Sequence, residues 1–577
     1  MKKYINYLIC ILIFEKKVFR RHLESIFYFL KNINFLRFIF FLIDKKKFNP
    51  IKLNSFRKFV DINKKKKWNY NDESQNEILI ENFINHPAYT LTNSISACLL
   101  NKYYDYNLSA VLRSGDIKAE VLFRSFGIKK FYKIQKISFL KRFLYIIKAI
   151  SLIKEAKTIK SFLNLKYKKI EVALSSYDTY IRYTGNPNLK FVNNELIVIL
   201  AECLYHCDFF ENLIDKNNQI KFAIQSETVF NPLNSFFQIC LKNKIQVFSR
   251  CGENNVSLRR YTNFSQRHNY RYNISQKLFD NFFKNNKKKI NSEFNKFYKK
   301  KITSKKFGID SRISGLLKKE KIDVKKEEII DKFKIKRKKI GVFFLNHLID
   351  RNFHNGPRKN FQDNYSWTEF ILKEIPKIKN INWIIKPHPT EYFYNAKKNF
   401  DKELIQLERD NDNIILYPFD YSSSSLLKIT DYAITSHGTV GVEYPAFGIK
   451  SIFSENSFYS RFNFMKIIKN KKDLSNQLKN LHRSKKVSSE LSLKCKALLL
   501  IRERLLENQC KVIPNHIISR KIDENLFWED GAKKLKKWHV KDDLFYKMLR
   551  KQIKFKMRHT INFNYLKIDQ KIFNDFS

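Results

Sequence analysis

The sequence has few acidic residues and no long hydrophobic run, and each absence excludes a class of protein. Its 577 residues include 55 Asp and Glu against 111 Lys and Arg, which gives a formal net charge of +56. No uncharged apolar stretch reaches about 18 residues, so an ordinary transmembrane span is not expected. An apolar fraction of 44% with 15% aromatic residues excludes a disordered or collagen-like chain. The length indicates about two or three domains.

Cysteines are also sparse, and they are not arranged as a metal site or a disulfide framework. The 8 cysteines are scattered and form no CxxC pair. The one close pair, Cys203 and Cys207, lies in the apolar run LAECLYHCDFF beside His206. Zinc sites normally need four ligands in two clusters, so a buried helix face explains this spacing better. The pattern is typical of a reducing cytoplasm.

The positive charge comes mostly from lysine, with 86 Lys against 25 Arg. An AT-rich coding sequence would produce this excess together with the abundant Asn, Ile and Phe. A dedicated nucleic-acid binder should contain more Arg, the residue that recognises phosphates and bases in a bidentate manner. No RNP, helix-turn-helix or zinc-finger string occurs either, so we expect no nucleic-acid partner. Two explanations stay open: codon bias with a solvated surface, or attraction to an anionic membrane.

Apolar runs alternate with amphipathic stretches over two long parts of the chain. In the first part the clearest runs are VALSS (172–176), ELIVILAECLY (195–205), KFAIQSE (221–227) and IQVFSR (245–250). After Lys339 the chain alternates helix-like segments with the strand-like runs IGVFFLN (340–346), NWIIKPHP (382–389), NIILYPFD (413–420), DYAITSHGT (431–439) and IKSIF (449–453). Strands alternating with helices predict parallel α/β domains of the doubly wound, Rossmann-like kind, which bind ligands beyond the carboxyl ends of their strands.

These patterns divide the chain into five regions. We expect a basic segment and linker at 1–75, a Rossmann-like domain at 76–283, a lysine-rich helical linker at 284–338, a second Rossmann-like domain at 339–475 and a basic helical region at 476–577. Within 1–48, short apolar runs alternate with Lys and Arg, and no signal-peptide cleavage site is evident. That composition fits either an amphipathic helix lying in a membrane interface or an ordinary docked helix.

The segment from Ser436 to Thr439 follows a predicted strand and opens a predicted helix. Gly438 lets the backbone approach an anion closely, and the N–H groups at the start of a helix attract phosphate. Ser436 and Thr439 add hydroxyl donors around His437. Glu443, about one turn further on, can accept hydrogen bonds from a ribose diol. The alternative interpretation is a tight turn with capping hydroxyls.

A second segment, Lys386-Pro387-His388-Pro389, ends another predicted strand. The two prolines restrict the backbone, so a cation and an imidazole are held rigidly at the strand terminus. Such a pair suits neutralisation of a phosphate or pyrophosphate. A lone His after a strand is usually structural, and the Lys-Pro-His-Pro string is what favours a functional role.

Three segments, taken in their order along the chain, resemble bacterial capsule and surface-polysaccharide biosynthesis proteins. They are FFLNHLIDRNF, NWIIKPHP and DYAITSHGTVGVEYPAFGIKSI. These proteins are GT-B glycosyltransferases related to the Kdo transferases of capsule assembly. The pair His388-Pro389 is similar to the one with which related CMP-sugar transferases hold the nucleotide phosphate. The spacing of Glu443 and Gly448 is similar to that around the ribose-binding Glu of many GT-B enzymes. The motifs cover about 340–455.

The resemblance implies two Rossmann-like domains that face each other across a cleft. The nucleotide-sugar donor, CMP- or otherwise NDP-linked, would bind the C-terminal domain, and a glycan or glycolipid acceptor the N-terminal one. Catalysis would need no cofactor and no obligatory metal, and no DxD-like string stands near a strand end. Lys386, His388 and the loop 436–439 would then stabilise the charge that develops on the leaving phosphate.

An acceptor hydroxyl also needs a general base, and Glu227 at the end of a predicted strand is the first choice. Asp178 and Asp116 are weaker alternatives. His347 and Asp350, after the first C-terminal strand, are expected to face the same cleft. The arginines that could hold an anionic acceptor or a donor carboxylate, against a solvated-surface alternative, are Arg250, Arg259 and Arg260.

Two enzyme classes therefore remain open, together with one class that is not enzymatic. The leading expectation is a membrane-associated glycosyltransferase at the cytoplasmic face of the cell membrane, acting in capsule or other surface-carbohydrate synthesis. The second is a CDP-polyol phosphotransferase of the teichoic-acid type, which uses a similar scaffold. The third is a basic nucleic-acid-binding or scaffold protein.

Overall fold

A computed structural model of the chain describes residues 50–66, 68, 74–84, 86–154, 156, 158–251, 256–269, 272–303, 322–336, 339–388, 399–506, 510–514 and 523–565. The predicted membrane-associating segment at 1–48 lies outside these residues. The described chain folds into two α/β units with one sheet each.

The N-terminal unit is built on a six-stranded sheet in the order β3-β2-β1-β4-β5-β6. Its strands are β1 Glu77–Asn82, β2 Asn107–Arg113, β3 Lys130–Ile134, β4 Ile220–Gln225, β5 Gln246–Cys251 and β6 Ser257–Tyr261. All neighbours pair in parallel except β5 and β6, which are antiparallel. Successive strands are added on one side of β1 up to β3 and on its other side from β4 onward. The strand order therefore reverses between β1 and β4, and a crevice opens beyond the carboxyl ends of these two strands.

Helices cover both faces of this sheet. They are α1 Pro50–Lys64, α2 Pro87–Tyr104, α3 Ile117–Ser125, α4 Phe139–Leu152, α5 Ile159–Phe162, α6 Val172–Thr184, α7 Asn194–Asp215, α8 Leu233–Lys242 and the long α9 Gln276–Thr303. The runs KFAIQSE and IQVFSR form β4 and β5, whereas VALSS and ELIVILAECLY lie in α6 and α7. A short apolar run does not by itself distinguish a strand from a buried helix. Cys203 and Cys207 are fully buried on α7, which confirms the helix-face interpretation.

The C-terminal unit has a five-stranded, wholly parallel sheet in the order β11-β10-β7-β8-β9. Its strands are β7 Ile340–Phe344, β8 Asn382–Lys386, β9 Ile414–Leu416, β10 Tyr432–Thr435 and β11 Lys450–Phe453. The helices that follow in the chain are α10 Lys326–Lys332, α11 Asn364–Glu374, α12 Asn399–Asp410, α13 Ser423–Leu427, α14 Val440–Ala446, α15 Lys471–Lys479, α16 Ser489–Leu500, α17 Glu524–Lys536 and α18 Leu544–Lys554. All five predicted strands form. Their near-continuous apolar sequences are typical of strands buried on both faces.

The ends of the described chain pack against the N-terminal unit. Residues 50–64, which lie within the predicted basic segment and linker at 1–75, form the helix α1. Phe56 and Phe59 of α1 pack on Trp528 of α17 with ring centroids 5.0 and 5.1 Å apart. Phe56 and Phe59 are three residues apart, so they lie on one apolar face of α1. The basic residues of this segment make its overall composition polar, and the composition therefore does not indicate that face.

The helices between and after the two sheets pack partly on the C-terminal unit and partly on the N-terminal unit. Helices α9 and α16 share a core cluster with the C-terminal unit, through Phe294 and Leu498 among others. Helices α17 and α18 instead join the core cluster of the N-terminal sheet, through Trp528 and Leu549. The five regions drawn from composition stay a prediction.

Two doubly wound sheets in one chain confirm the predicted fold class, an α/β protein of the GT-B-like kind with two Rossmann-like domains. Each sheet has its reversal of strand order at the place where ligands bind in such folds. Within the described ranges, no helix combines the length and the hydrophobicity needed to cross a bilayer.

Candidate functional site

Three neighbouring strands of the C-terminal sheet end in polar residues. The strand order of this sheet reverses between β7 and β10, and β8 lies on the other side of β7. Asn346 and His347 follow β7, and Ser436 follows β10. Lys386 ends β8, and His388 comes two residues later. Because parallel strands end at one edge of the sheet, these residues gather at the crevice predicted for ligand binding.

Asn346 holds the start of the loop 436–439 in place. Its side-chain oxygen accepts the backbone N–H of Ser436 at 3.1 Å and the hydroxyl of Thr435 at 3.3 Å. Its amide nitrogen lies 3.4 Å from the ring nitrogens of His437. A Cβ on Gly438 would lie 2.7 Å from the hydroxyl oxygen of Thr435, so glycine is required for this tight turn. The turn is therefore fixed by the neighbouring strand before any ligand binds.

A buried arginine from the loop between β7 and α11 also contacts this turn. Nη2 of Arg358 donates to the hydroxyl of Ser436 at 2.6 Å, and the guanidinium lies 3.8 Å from the carboxylate of Glu455. Glu455 in turn accepts the backbone N–H groups of Lys359 at 2.9 Å and Asn360 at 3.2 Å. The predicted hydroxyl donor Ser436 is thus engaged by a cation that sequence reasoning did not find.

Four histidines meet around these strand ends. The ring centroids of His347 and His388 are 5.3 Å apart, and those of His354 and His437 are 5.0 Å apart. Burial lowers the pKa of His388 to about 3, with the charges of His347 and Lys386 adding to the effect. Burial likewise lowers the pKa of His437 well below its usual value, helped by His354 and Arg358. His388 and His437 therefore offer uncharged imidazoles at neutral pH.

We expect His354 and His388 to stay uncharged at mildly acidic pH. Burial lowers the pKa of His354 to about 4 and that of His388 to about 3, whereas an unperturbed histidine titrates near 6.5. Each ring binds a proton more weakly in the folded than in the unfolded chain, so its contribution to stability is lost as the pH falls from about 6.5. Ring-nitrogen chemical shifts of 15N-histidine-labelled protein would measure this, and protonation of both rings above pH 6 would contradict it.

Lys386 is the second buried cation of the site. The residue is only 2% exposed, and its ammonium lies 5.3 Å from the centroid of the Tyr417 ring. A cation above an aromatic face is attracted by the ring quadrupole. The site thus contains two buried positive side chains, Lys386 and Arg358, among imidazoles and an amide.

The two units meet directly in front of this crevice. Nη2 of Arg351, in the loop after β7, donates to the carboxylate of Glu227 at 2.8 Å, two residues beyond β4. Nη1 of Arg182 lies 3.4 Å from the carboxylate of Asp350. Asp178 of α6 accepts the backbone N–H of Asn352 at 2.9 Å. The predicted residues Glu227 and Asp350 therefore lie at the boundary between the two crevices.

A buried carboxyl group supports Glu227 from inside the N-terminal sheet. Glu81, near the end of β1, is fully buried and accepts the backbone N–H of Ser226 at 3.0 Å. Burial raises the pKa of Glu81 to about 7, and the nearby charge of Glu227 raises it further. Asn93 donates to the hydroxyl of Ser226 at 2.8 Å. This network fixes the turn that carries Glu227.

The remaining predicted residues have identified structural partners. Burial raises the pKa of Tyr298 of α9 well above its usual value, and the neighbouring carboxylate of Glu443, which accepts a hydrogen bond from Tyr298, adds to the effect. Thr439 stands at the start of α14 and makes no capping hydrogen bond with its side chain. Asp116 caps α3 through the backbone N–H of Ala119 at 3.3 Å. The roles of these residues in a reaction stay predictions.

Two of the three arginines of β5 and β6 are buried, so the solvated-surface alternative is wrong for Arg250 and Arg259. Arg250 is 1% exposed, with its guanidinium 4.8 Å from the Tyr89 ring centroid. Arg259 is fully buried and donates to the backbone carbonyl of Asn273 at 2.9 Å. Arg260, half-buried, donates to the side chain of Gln246 at 2.7 Å.

Sequence reasoning missed Asn346, His354, Arg358, Glu455 and Glu81. A usable signal existed for three of them, because Asn346, Glu455 and Glu81 stand at or just after strand ends, as the predicted residues do. No signal existed for Arg358 and His354, which lie in a long loop without periodicity. Among the residues that the structure describes, no group of three or more His, Cys, Asp or Glu side chains is placed to hold a metal ion.

Comparison with known proteins gives distant structural likenesses only. No family model and no curated protein matches the sequence. KpsC of Thermosulfurimonas dismutans, a beta Kdo 2,4 transferase, is 12% identical with a TM-score of 0.30, over 55% of this chain and 87% of that chain. A UDP-GlcNAc 2-epimerase from Neisseria meningitidis is 11% identical with a TM-score of 0.22, over 80% and 98%. HepE of Anabaena, in complex with UDP, is 10% identical with a TM-score of 0.24, over 74% and 95%.

Proposed function

We propose that the protein is a glycosyltransferase that transfers a sugar from a nucleotide-activated donor to a surface-polysaccharide acceptor. The observation that carries the proposal is the gathering of Asn346, His347, Lys386, His388 and His437 at the strand reversal of the C-terminal sheet. Two neighbouring strand ends supply a buried ammonium and uncharged imidazoles, which together suit a phosphate ester. The motifs that resemble capsule glycosyltransferases are the same residues.

The chemistry asked of these side chains is stabilisation of a leaving phosphate. When the bond between sugar and phosphate breaks, negative charge develops on a phosphate oxygen. The ammonium of Lys386 and an N–H of His388 can stabilise that oxygen in a site of low dielectric, where such contacts are strongest. His437 and the backbone N–H groups after Ser436 would hold the remaining phosphate oxygens.

The acceptor side of the reaction is assigned to the N-terminal unit. The carboxylate of Glu227 is the proposed base that takes the proton of the acceptor hydroxyl as the new bond to the sugar forms. Its ion pair with Arg351 orients it toward the other unit, and the buried Glu81 network supports its backbone. Asp350 and His347 would bind the substrates between the two units.

We also propose that the reaction needs no metal and takes place at the cytoplasmic face of the cell membrane. Two buried cations, Arg358 and Lys386, support the first part because protein groups can neutralise the phosphates. The lysine-rich surface supports the second part through attraction to anionic lipid. Turnover that persists in excess EDTA would support the first part, and loss of turnover would overturn it.

The function is tested by measuring nucleotide release from a panel of donors. We expect the full-length protein to release nucleotide from one sugar donor among CMP-Kdo, UDP-GlcNAc and GDP-mannose when a glycan acceptor is present. CDP-glycerol serves as the probe for the alternative, polyol-phosphate transfer. Release from CDP-glycerol alone would replace the proposal with that alternative. Absence of binding to any nucleotide, measured by thermal shift, would contradict both.

A further inference from the structure

Helix α4 exposes a row of large apolar side chains to solvent. Leu140 is 69% exposed, Leu144 58% and Phe139 57%. Ile147 is 46% exposed and Phe143 37%. These positions are spaced by one, three or four residues, so they form one continuous stripe along the helix. Single exposed apolar residues are ordinary, but a contiguous stripe of this length marks an interaction surface.

The opposite side of α4 is already packed, so the stripe is not a misplaced core face. Ile146 and Ala149 are buried in the core cluster of the N-terminal unit, alongside residues of α7. Arg142 reaches Glu202 of α7 at 3.4 Å, and Tyr145 donates to Asp208 at 2.8 Å. The helix is therefore apolar on both sides, and only one side has a partner within the described chain.

The segment of sequence that carries the stripe has charge of a single sign. From residue 129 to residue 154 the sequence contains eight Lys and Arg and no Asp or Glu. The cations beside the stripe include the exposed Lys136, Lys141 and Lys154, whereas Lys148 is paired with Asp208 of α7 at 2.9 Å. Phe and Leu on one side with Lys along the borders is the composition of helices that lie in a membrane interface.

The start of α4 lies at the edge of the sheet where the proposed acceptor site opens. Strand β3 ends at Ile134, whose carbonyl accepts the backbone N–H of Ser114 at 2.9 Å, and α4 begins five residues later. The strands β3, β2, β1 and β4 are neighbours in that order and end at the same edge. At about 4.8 Å per strand, β3 is about 10–15 Å from β1 and β4.

We propose that the exposed stripe of α4 docks on the surface of a membrane that contains anionic lipids. The apolar side chains enter the headgroup–acyl boundary while the surrounding lysines contact the lipid phosphates. A protein partner fits less well, because lysine is depleted in protein–protein interfaces whereas anionic lipid attracts it. If the proposed function is right, this contact also brings a lipid-linked acceptor close to Glu227.

The test is binding of the full-length protein to phosphatidylglycerol–phosphatidylcholine vesicles, with the double variant Leu140→Glu/Leu144→Glu. We expect the partition coefficient from co-sedimentation to fall by at least about tenfold, because two apolar side chains are lost from the bilayer and two negative charges face anionic lipid. The matched control is Leu526→Glu on α17, since Leu526 is 62% exposed. This control should change the partition coefficient by less than about twofold.

Three outcomes decide the proposal. A partition coefficient that is unchanged in the double variant overturns it. Equal loss in the double variant and in Leu526→Glu overturns it too, because charge alone would then explain the effect. A wild-type dimer in sedimentation velocity that the double variant converts to a monomer would identify a second copy as the occupant instead. The vesicle test needs no donor, so its failure leaves the proposed reaction unaffected. Donor turnover with a soluble glycan acceptor should be equal in the wild type and the double variant.

Discussion

Replacing His388 with alanine is expected to lower donor turnover by about 10²–10³-fold while the protein stays folded. His388 lies two residues after the end of β8, and its ring centroid lies 5.3 Å from that of His347 at the reversal of strand order. Burial lowers its pKa to about 3, so the ring donates a hydrogen bond as a neutral imidazole. Loss of one such donor to a developing phosphate charge removes stabilisation from the transition state and leaves donor binding less affected.

The measurement is kcat and KM for nucleotide release, with His482→Ala as the matched control. His482 is exposed on the surface of the C-terminal unit, where its ring nitrogen Nδ1 lies 3.0 Å from the backbone carbonyl of Lys479. The control should keep wild-type kinetics, and both variants should keep the wild-type circular dichroism spectrum. Wild-type kcat in His388→Ala would show that this ring does not contact the leaving group.

The largest loss of stability is expected for Asp543→Ala, at about 3–5 kcal/mol. Asp543 is fully buried and caps α18 by accepting the backbone N–H of Phe545 at 2.9 Å. Its other oxygen accepts the indole N–H of Trp538 at 2.8 Å and the backbone N–H of Lys511 at 2.9 Å. Alanine leaves the buried donors of Trp538 and Phe545 without an acceptor, and the segment 510–514 loses its hydrogen bond to Asp543.

Urea denaturation followed by tryptophan fluorescence measures this loss. Asp542→Ala is the control at the neighbouring position, because Asp542 is exposed, and it should change the free energy of unfolding by less than about 0.5 kcal/mol. Asp543→Asn separates charge from shape, since it retains one acceptor oxygen and should lose less stability than the alanine variant. Equal midpoints for all three variants and the wild type would contradict the role given to this carboxylate.

The C-terminal sheet and the gathering of polar residues at its strand ends could be predicted well because each strand there carries its own signal. IGVFFLN, NWIIKPHP and DYAITSHGT are apolar runs that end in polar residues, and in a parallel sheet those ends converge. The secondary structure of the N-terminal unit could be predicted less well. VALSS and ELIVILAECLY are buried helical segments whose apolar runs are as continuous as those of strands. Periodicity cannot separate the two when a helix is covered on most sides.

What could not be predicted depends on contacts between distant segments. Arg358 reaches Ser436 across 78 positions of the chain, and Arg351 reaches Glu227 across 124. Helix α1 is stabilised by Trp528, which is more than 450 residues further along the chain. No local pattern near Arg358, Arg351 or Phe56 indicates these partners, since each contact forms only when distant segments of the chain pack together.

The packing of α17 and α18 on the N-terminal sheet also sets an order for biosynthesis. Ile78, Ile80 and Phe222 of that sheet share one core cluster with Trp528, Phe545 and Leu549. A ribosome completes the C-terminal sheet, which ends at Phe453, before it makes the residues that close this cluster. During synthesis, the apolar surface of the N-terminal unit that α17 and α18 cover therefore stays exposed until these helices are made. A chain truncated before α17 would expose that surface to chaperones and proteases.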